Sequence, residues 1–250
     1  MSNYERNTGM VACIIGVLVV GAIAVGALSY FGSTTWNLSQ ATTDFSFDAG
    51  VGATTGTVTL DVDLDAGGVA ITFVDNASLL YQVDLEVLNT TLANDGAPSV
   101  SFASNVISFD YTAAGANITL GSGVNYTMDI NVGGGGLELE FTDGAHLSDV
   151  NATVGGGGIV LILTDDVVLV ETPTFSFDID AGGLDLTVDL PTDVGGSFEC
   201  AVTFGGVDIT APGWTQVTTS HYETADYDTA PQSLTIIAQV GGGGVSATLT

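Results

Sequence analysis

Basic residues are almost missing from this chain: Arg6 stands against 29 aspartates and glutamates, leaving a net charge of -28 over 250 residues. Neutralising a nucleic-acid backbone requires Lys or Arg, and residues 7–250 contain neither, so DNA and RNA are excluded as partners. Anionic lipid headgroups are disfavoured for the same reason. Lyases that abstract a proton with a basic side chain are excluded too, and stability cannot rest on Lys or Arg salt bridges. Cysteine is nearly as scarce. Cys13 and Cys200 lie far apart in the sequence, so no disulfide framework follows and both read as small apolar side chains. The chain has no G-x-S-x-G elbow, H-E-x-x-H or C-x-x-C, and the glycines between 50 and 56 miss the dinucleotide-binding spacing.

One long uncharged run is present. Residues 10–31, MVACIIGVLVVGAIAVGALSYF, would form a helix roughly 33 Å long at 1.5 Å per residue, against a hydrocarbon core of about 30 Å. This predicts an uncleaved transmembrane helix rather than a signal peptide, whose apolar region is shorter. The single positive charge, at Arg6, precedes it, so the N-terminus is expected inside and the large domain outside the cell. The expected organisation is a leader (1–9), a membrane helix (10–31), a linker (32–44) and an extracellular β domain (45–250) with an irregular loop at 211–232.

Beyond the run the dominant period is two. Leu60, Val62 and Leu64 alternate with Asp61, Asp63 and Asp65; Tyr81, Val83, Leu85 and Val87 alternate with Gln82, Asp84 and Glu86. The same alternation recurs at 137–141, 175–179 and 184–190, predicting half-buried strands with carboxylates facing water. Only 159–163 is apolar throughout, which predicts a strand covered on both faces. Glycine clusters add a longer period. From the last glycine of each cluster, the steps 136 to 158, 158 to 183 and 183 to 206 are 22, 25 and 23 residues, and Gly115 lies near a skipped position. The reading is all-β: a β-solenoid or roll of roughly 22-residue coils with glycines at the corners, the alternative being an antiparallel β-sandwich. No amphipathic helix is expected after Phe31.

The segments DAGGVAITFVDNASLLYQVDLEV (65–87), NVGGGGLELEF (131–141) and DIDAGGLDLTVDLPTDVGG (178–196) resemble the toast-rack and head-domain adhesin-like β-solenoid families of prokaryotic membrane proteins. The resemblance is one of pattern over most of residues 45–210. It implies a surface or envelope-associated solenoid with no catalytic residues to carry over, and the missing basic residues make the chain look like an archaeal cell-surface protein.

The candidate sites are of three kinds. Asp61, Asp63 and Asp65 form an outward row; stacked on similar rows, they could hold a hard cation such as Ca2+, against the simpler reading of a solvated acidic face. Asn37, Asn76, Asn89, Asn117, Asn125 and Asn151 head Asn-x-Ser/Thr sequons and are candidate glycosylation sites of a glycoprotein. Trp214, His221, Tyr222 and Tyr227 lie in the segment APGWTQVTTSHYETADYDTAPQ (211–232), which lengthens the repeat step to 38 residues, from 206 to 244. It reads either as a recognition loop offering rings to sugars or as a cap on the end of the stack. Together these observations predict a non-enzymatic, membrane-anchored surface protein with a structural or adhesive role. Its partners would be the membrane, surface glycans or copies of itself. The alternatives are a pilin-like filament subunit and an acidic hydrolase acting on polysaccharide.

Overall fold

The computed structural model of this protein describes residues 41–142 and 144–250. The expected membrane helix at 10–31, with Cys13 and the sequon at Asn37, lies outside the described residues; among those described, no helix is long and apolar enough to cross a membrane. The described chain is nearly all strand. In order it forms β1 (Thr42–Gly50), β2 (Thr57–Val74), β3 (Leu79–Leu88), a short helix α1 (Asn89–Asp95), β4 (Val100–Ala103), β5 (Val106–Gly121), β6 (Asn125–Phe141) and β7 (His146–Leu163). There follow β8 (Val168–Leu169), β9 (Thr174–Val188), β10 (Val194–Thr210), β11 (Trp214–Thr218), β12 (His221–Thr224) and β13 (Gln232–Leu249). The seven-residue helix α1 was not expected from the sequence.

Thirteen strands join one mixed sheet in the order β1-β3-β5-β2-β6-β7-β9-β13-β10-β12-β11, with β4 on β5 and β8 on β7. Its centre is seven long parallel strands, β5 to β10, which act as rungs of a stack. The rungs do not stack in chain order, as a simple coil period implies. At one end β5 lies outside β2, and at the other β13 inserts between β9 and β10.

Each rung is bent at its glycines. In β2 the buried positions are Val58, Leu60, Val62 and Leu64 before the bend but Val69, Ile71 and Phe73 after it, so the phase of the alternation changes there. A phase change lets both halves of one strand turn their apolar side chains into a shared core. The glycines therefore lie inside continuous strands rather than between them. Gly67 is paired with Gly135, Gly135 with Gly157, Gly157 with Gly182, Gly182 with Gly243, and Gly243 with Gly205. All six have φ between 134° and 155°, and a Cβ on any of them would overlap the carbonyl oxygen of the residue facing it on the preceding rung. Only glycine tolerates both conditions.

The two halves meet at their far ends through aromatic rings. Phe73, ending β2, packs edge-to-face on Tyr126 at the start of β6, with centroids 5.6 Å apart; Phe141 packs likewise on Phe73 and Phe175, both at 5.9 Å. Such pairs contribute about 0.5–1.5 kcal/mol beyond burial. The rest of the core is mostly aliphatic, with Phe109, Phe177 and Phe198 also buried, and contains Cys200, only 2 % exposed. The strand over 159–163 departs from expectation. Ile159, Leu161 and Leu163 point inward, but Val160 is 36 % exposed, so this rung is covered on one face only.

Candidate functional site

The residues singled out at 211–232 come together at one end of the stack. This segment is a hairpin rather than an irregular loop: β11 and β12 pair antiparallel, and β12 lies antiparallel on β10 through Ser197, Phe198 and Glu199. Glycines at the start of β10 make room for its rings. A Cβ at Gly196 would collide with the Trp214 indole and lie 2.5 Å from Leu190 Cδ1; one at Gly195 would lie 2.6 Å from Tyr227 Cα. Trp214 and Tyr222 are part-buried and pack on the core, and the Tyr227 hydroxyl bonds Thr235 Oγ1 at 2.9 Å.

His221 stands between two residues that sequence reasoning did not select. Its Nε2 is 3.1 Å from Ser197 Oγ and 3.1 Å from Glu223 Oε1. The composition resembles a serine-histidine-acid triad, but the geometry does not. A relay needs the nucleophile on one ring nitrogen and the acid on the other, whereas here both face Nε2. The cluster instead ties β12 to β10, whose register sets Ser197 opposite Glu223. Ser197 carries no recognisable sequence signal, because nothing in the sequence states which strand β10 faces.

The acidic row of β2 meets one carboxylate on each neighbouring rung. Asp61 is paired with Asp129 on β6, and Asp63 with Asp110 on β5. Amides flank these pairs on the next rung: Asn131 Nδ2 donates to Asp63 Oδ1 at 2.9 Å and Asn151 Nδ2 to Asp129 Oδ1 at 3.2 Å. On the neighbouring face Ser46 Oγ and Gln82 Nε2 donate to the two oxygens of Asp84 at 2.6 and 2.7 Å. Neutral donors thus occupy the role that Lys or Arg would take elsewhere. Asp65 lies beside the glycine bend, its carbonyl 2.5 Å from where a Cβ of Gly133 would stand. Among the described residues no three His, Cys, Asp or Glu side chains converge as metal ligands.

Of the sequons, Asn76, Asn89, Asn117 and Asn151 are exposed and Asn125 is half-buried. The Asn151 amide nitrogen, where a glycan would attach, is the one bonded to Asp129. An open depression of about 310 Å3 lies where β7, β8 and β9 are joined, lined by Thr57, Thr127, Asp149 and Glu171 among others. There Asp149 Oδ1 already accepts from the Thr174 backbone N–H at 2.8 Å. Burial, and secondarily Glu199, pushes the Cys200 thiol up from its ordinary value, so it is an inert core side chain rather than a nucleophile.

No protein-family model matches the chain, and neither does the sequence of any curated protein. Its fold is nevertheless shared. The crystal structure of a candidate cell adhesion protein from Clostridium sporogenes superposes with a TM-score of 0.67 at 13% identity, covering 84% of this chain and all of that one. Candidate adhesins from Bacteroides fragilis (9% identity, covering 84% of this chain and 98% of that one) and Parabacteroides merdae (10%, 82% and 95%) superpose at TM-scores of 0.31 and 0.23, too low to carry an argument. The chain therefore has an adhesin-like all-β fold.

Proposed function

We propose that this protein is a non-enzymatic cell-surface protein, held in the membrane by residues 10–31, whose β domain acts outside the cell as an open β-solenoid with a structural or adhesive role. The observation that carries the reading is the match, over its full length, of the Clostridium sporogenes structure to 84% of this chain. The charge pattern supports it: the sole basic side chain precedes the apolar run, and the domain after it presents carboxylates, hydroxyls and sequon asparagines. Surface glycans are the partners proposed for the β11–β12 hairpin, where Trp214, Tyr222 and Tyr227 supply rings and His221 a polar contact. Cations gather along Asp61, Asp63, Asp65 and Asp129 as a diffuse layer.

The test separates adhesion from folding. Cells producing the wild-type chain should expose it to externally added proteinase K and bind a glycan-coated surface. Trp214→Ala should weaken attachment while surface abundance and thermal unfolding of the purified protein record what the hairpin loses in stability. Truncating a fully buried Trp costs about 3–5 kcal/mol, and a part-buried one less. Attachment that falls only in proportion to surface abundance would assign the rings to capping alone. Complete protection of the β domain from protease in intact cells would overturn the surface reading.

A further inference from the structure

The two ends of the stack match. At one end the outer strand is β1, antiparallel to β3, which is antiparallel to β5; β1 therefore runs in the same direction as all seven rungs. At the other end β12 covers β10 only at 197–199, with the Cys200 N–H donating to the Ser220 carbonyl, and among the described residues no strand lies outside 201–210. Among the described residues both edges are open in the half of the rungs after the glycine bend, and on β10 the uncovered stretch begins before it, at 201. The uncovered stretch 201–210 of β10 bears the most exposed large apolar side chain described, Phe204 at 77 % just before the bend, with Val207 at 44 % after it, and only one charge, Asp208. An exposed, nearly neutral edge is what sheet proteins normally shield, because it templates pairing with another chain.

Following the register across the sheet shows what would fit. Phe45, Leu85, Ala116, Val69, Leu137, Ile159, Leu184, Val245 and Val207 lie opposite one another in succession, all on the inward face. Phe47 begins the next such row, which ends at Ile209. Simple translation of a second molecule along the stack would set its β1 parallel to β10, with Phe45 beside Val207 and Phe47 beside Ile209, and both rows would run on into the next copy. The outward residues also match. Asp44 would face Gly206, Ser46 would face Asp208, and Asp48 would face Thr210, so no two carboxylates stand directly opposite, although each molecule carries a charge of -28. From this complementarity we infer that the protein assembles head to tail, β1 of one copy adding in parallel to the open half of β10 of the next. The contact is heterologous and does not close, so it propagates as a fibre. Repulsion between the acidic bodies opposes it and salt relieves that repulsion.

Full-length protein in detergent at 1 M NaCl should show a mass that climbs with concentration beyond the dimer, by sedimentation. Val207→Glu and Phe45→Glu should each be monomeric alone, and their 1:1 mixture should form dimers only, since each retains one working end. A covalent test does not depend on those variants. In a Cys13→Ser background, Phe45→Cys combined with Val207→Cys should give a ladder of disulfide-linked oligomers on mild oxidation, because paired strands hold Cα atoms about 4.8 Å apart, within disulfide reach. Within one molecule the two sites are eight strand spacings apart, about 38 Å, so the ladder must be intermolecular. A wild-type protein that stays monomeric overturns the inference. So does covalent dimerisation of either single-cysteine variant, which would mean that like edges meet, or a Val207→Glu protein that still polymerises.

Discussion

The glycine columns are the strictest residue-level demand in the molecule. Gly156 and Gly157 are neighbours in β7, yet they differ completely. A Cβ at Gly156 meets nothing within 4 Å, whereas one at Gly157 overlaps the Gly135 carbonyl at a φ of 145°. Gly156→Ala is therefore expected to leave stability unchanged or raise it by up to about 1 kcal/mol through the unfolded chain. Gly157→Ala is expected to cost about 3 kcal/mol or more, since the backbone must leave its conformation or the two rungs must separate. Urea unfolding of the two variants checks this, and equal midpoints would show that the column does not constrain the stack. The exception in the column follows the same rule. Ala114 of β5 lies opposite Gly67, but the pairings of β3 and β4 with β5, at 115–120 and 106–109, do not reach it, and an alanine fits.

At the scale of elements, the long rungs are joined to the antiparallel strands at their ends by few side chains, of which Tyr126 is the most buried. Its hydroxyl donates to the Leu80 carbonyl at 2.6 Å, linking β6 to β3. Burial holds its pKa well above the usual tyrosine value of 10.0, against a smaller lowering by the Gly121 backbone. A raised folded-state pKa means that the stabilisation is complete below about pH 10 and is lost as pH rises further, because the unfolded chain releases the proton first. Tyr126→Phe should cost about 1–2 kcal/mol at pH 8 by orphaning the Leu80 carbonyl, and should flatten the decline between pH 10 and 11.5. Free energies from urea unfolding at each pH test it; parallel declines would assign the alkaline loss to Tyr81, Tyr111 and Cys200, whose pKa values burial also raises. The strands themselves were legible from alternation, and the bends from glycine. The rung order was not, because every rung carries the same pattern and each would pair equally well with several others. The apolar stretch 159–163 misled for a related reason: the outward Val160 is set between Glu138 and Asp185 of adjacent rungs, a surface position visible only once the neighbours are known. Trp214, His221, Tyr222 and Tyr227 were visible as a cluster that breaks the repeat, but Ser197 and Glu223 were not, since their contact depends on pairing of β10 with β12.

At the scale of the whole molecule, folding gathers the carboxylates of the described residues around one apolar core, and the chain has no Lys or Arg beyond Arg6 to offset them. Self-repulsion on that scale opposes the compact state and weakens with ionic strength, the Debye length falling from about 30 Å at 0.01 M to about 3 Å at 1 M. The asparagine bridges at Asp63 and Asp129 relieve only local pairs, so most of the repulsion is left to the solvent. The melting temperature should therefore rise steadily with NaCl between 0.01 and 1 M. Calcium discriminates between a diffuse ion layer and a coordinated ion. If the row at Asp61, Asp63 and Asp65 is a solvated face, CaCl2 and NaCl at equal ionic strength should raise the melting temperature alike after chelator treatment, and Asp61→Asn with Asp63→Asn should raise it further at low salt by removing two like charges. If the row coordinates calcium, millimolar CaCl2 should add a saturable increment that the double variant abolishes, as linkage requires of any ligand that binds only the folded state. The geometry favours the first outcome. Asp61, Asp63 and Asp65 follow one another along a single rung, β2, where Asp61 faces Asp129 and Asp63 faces Asp110 on the neighbouring rungs, and a shell of six to eight oxygens would need these side chains to leave the sheet face and converge.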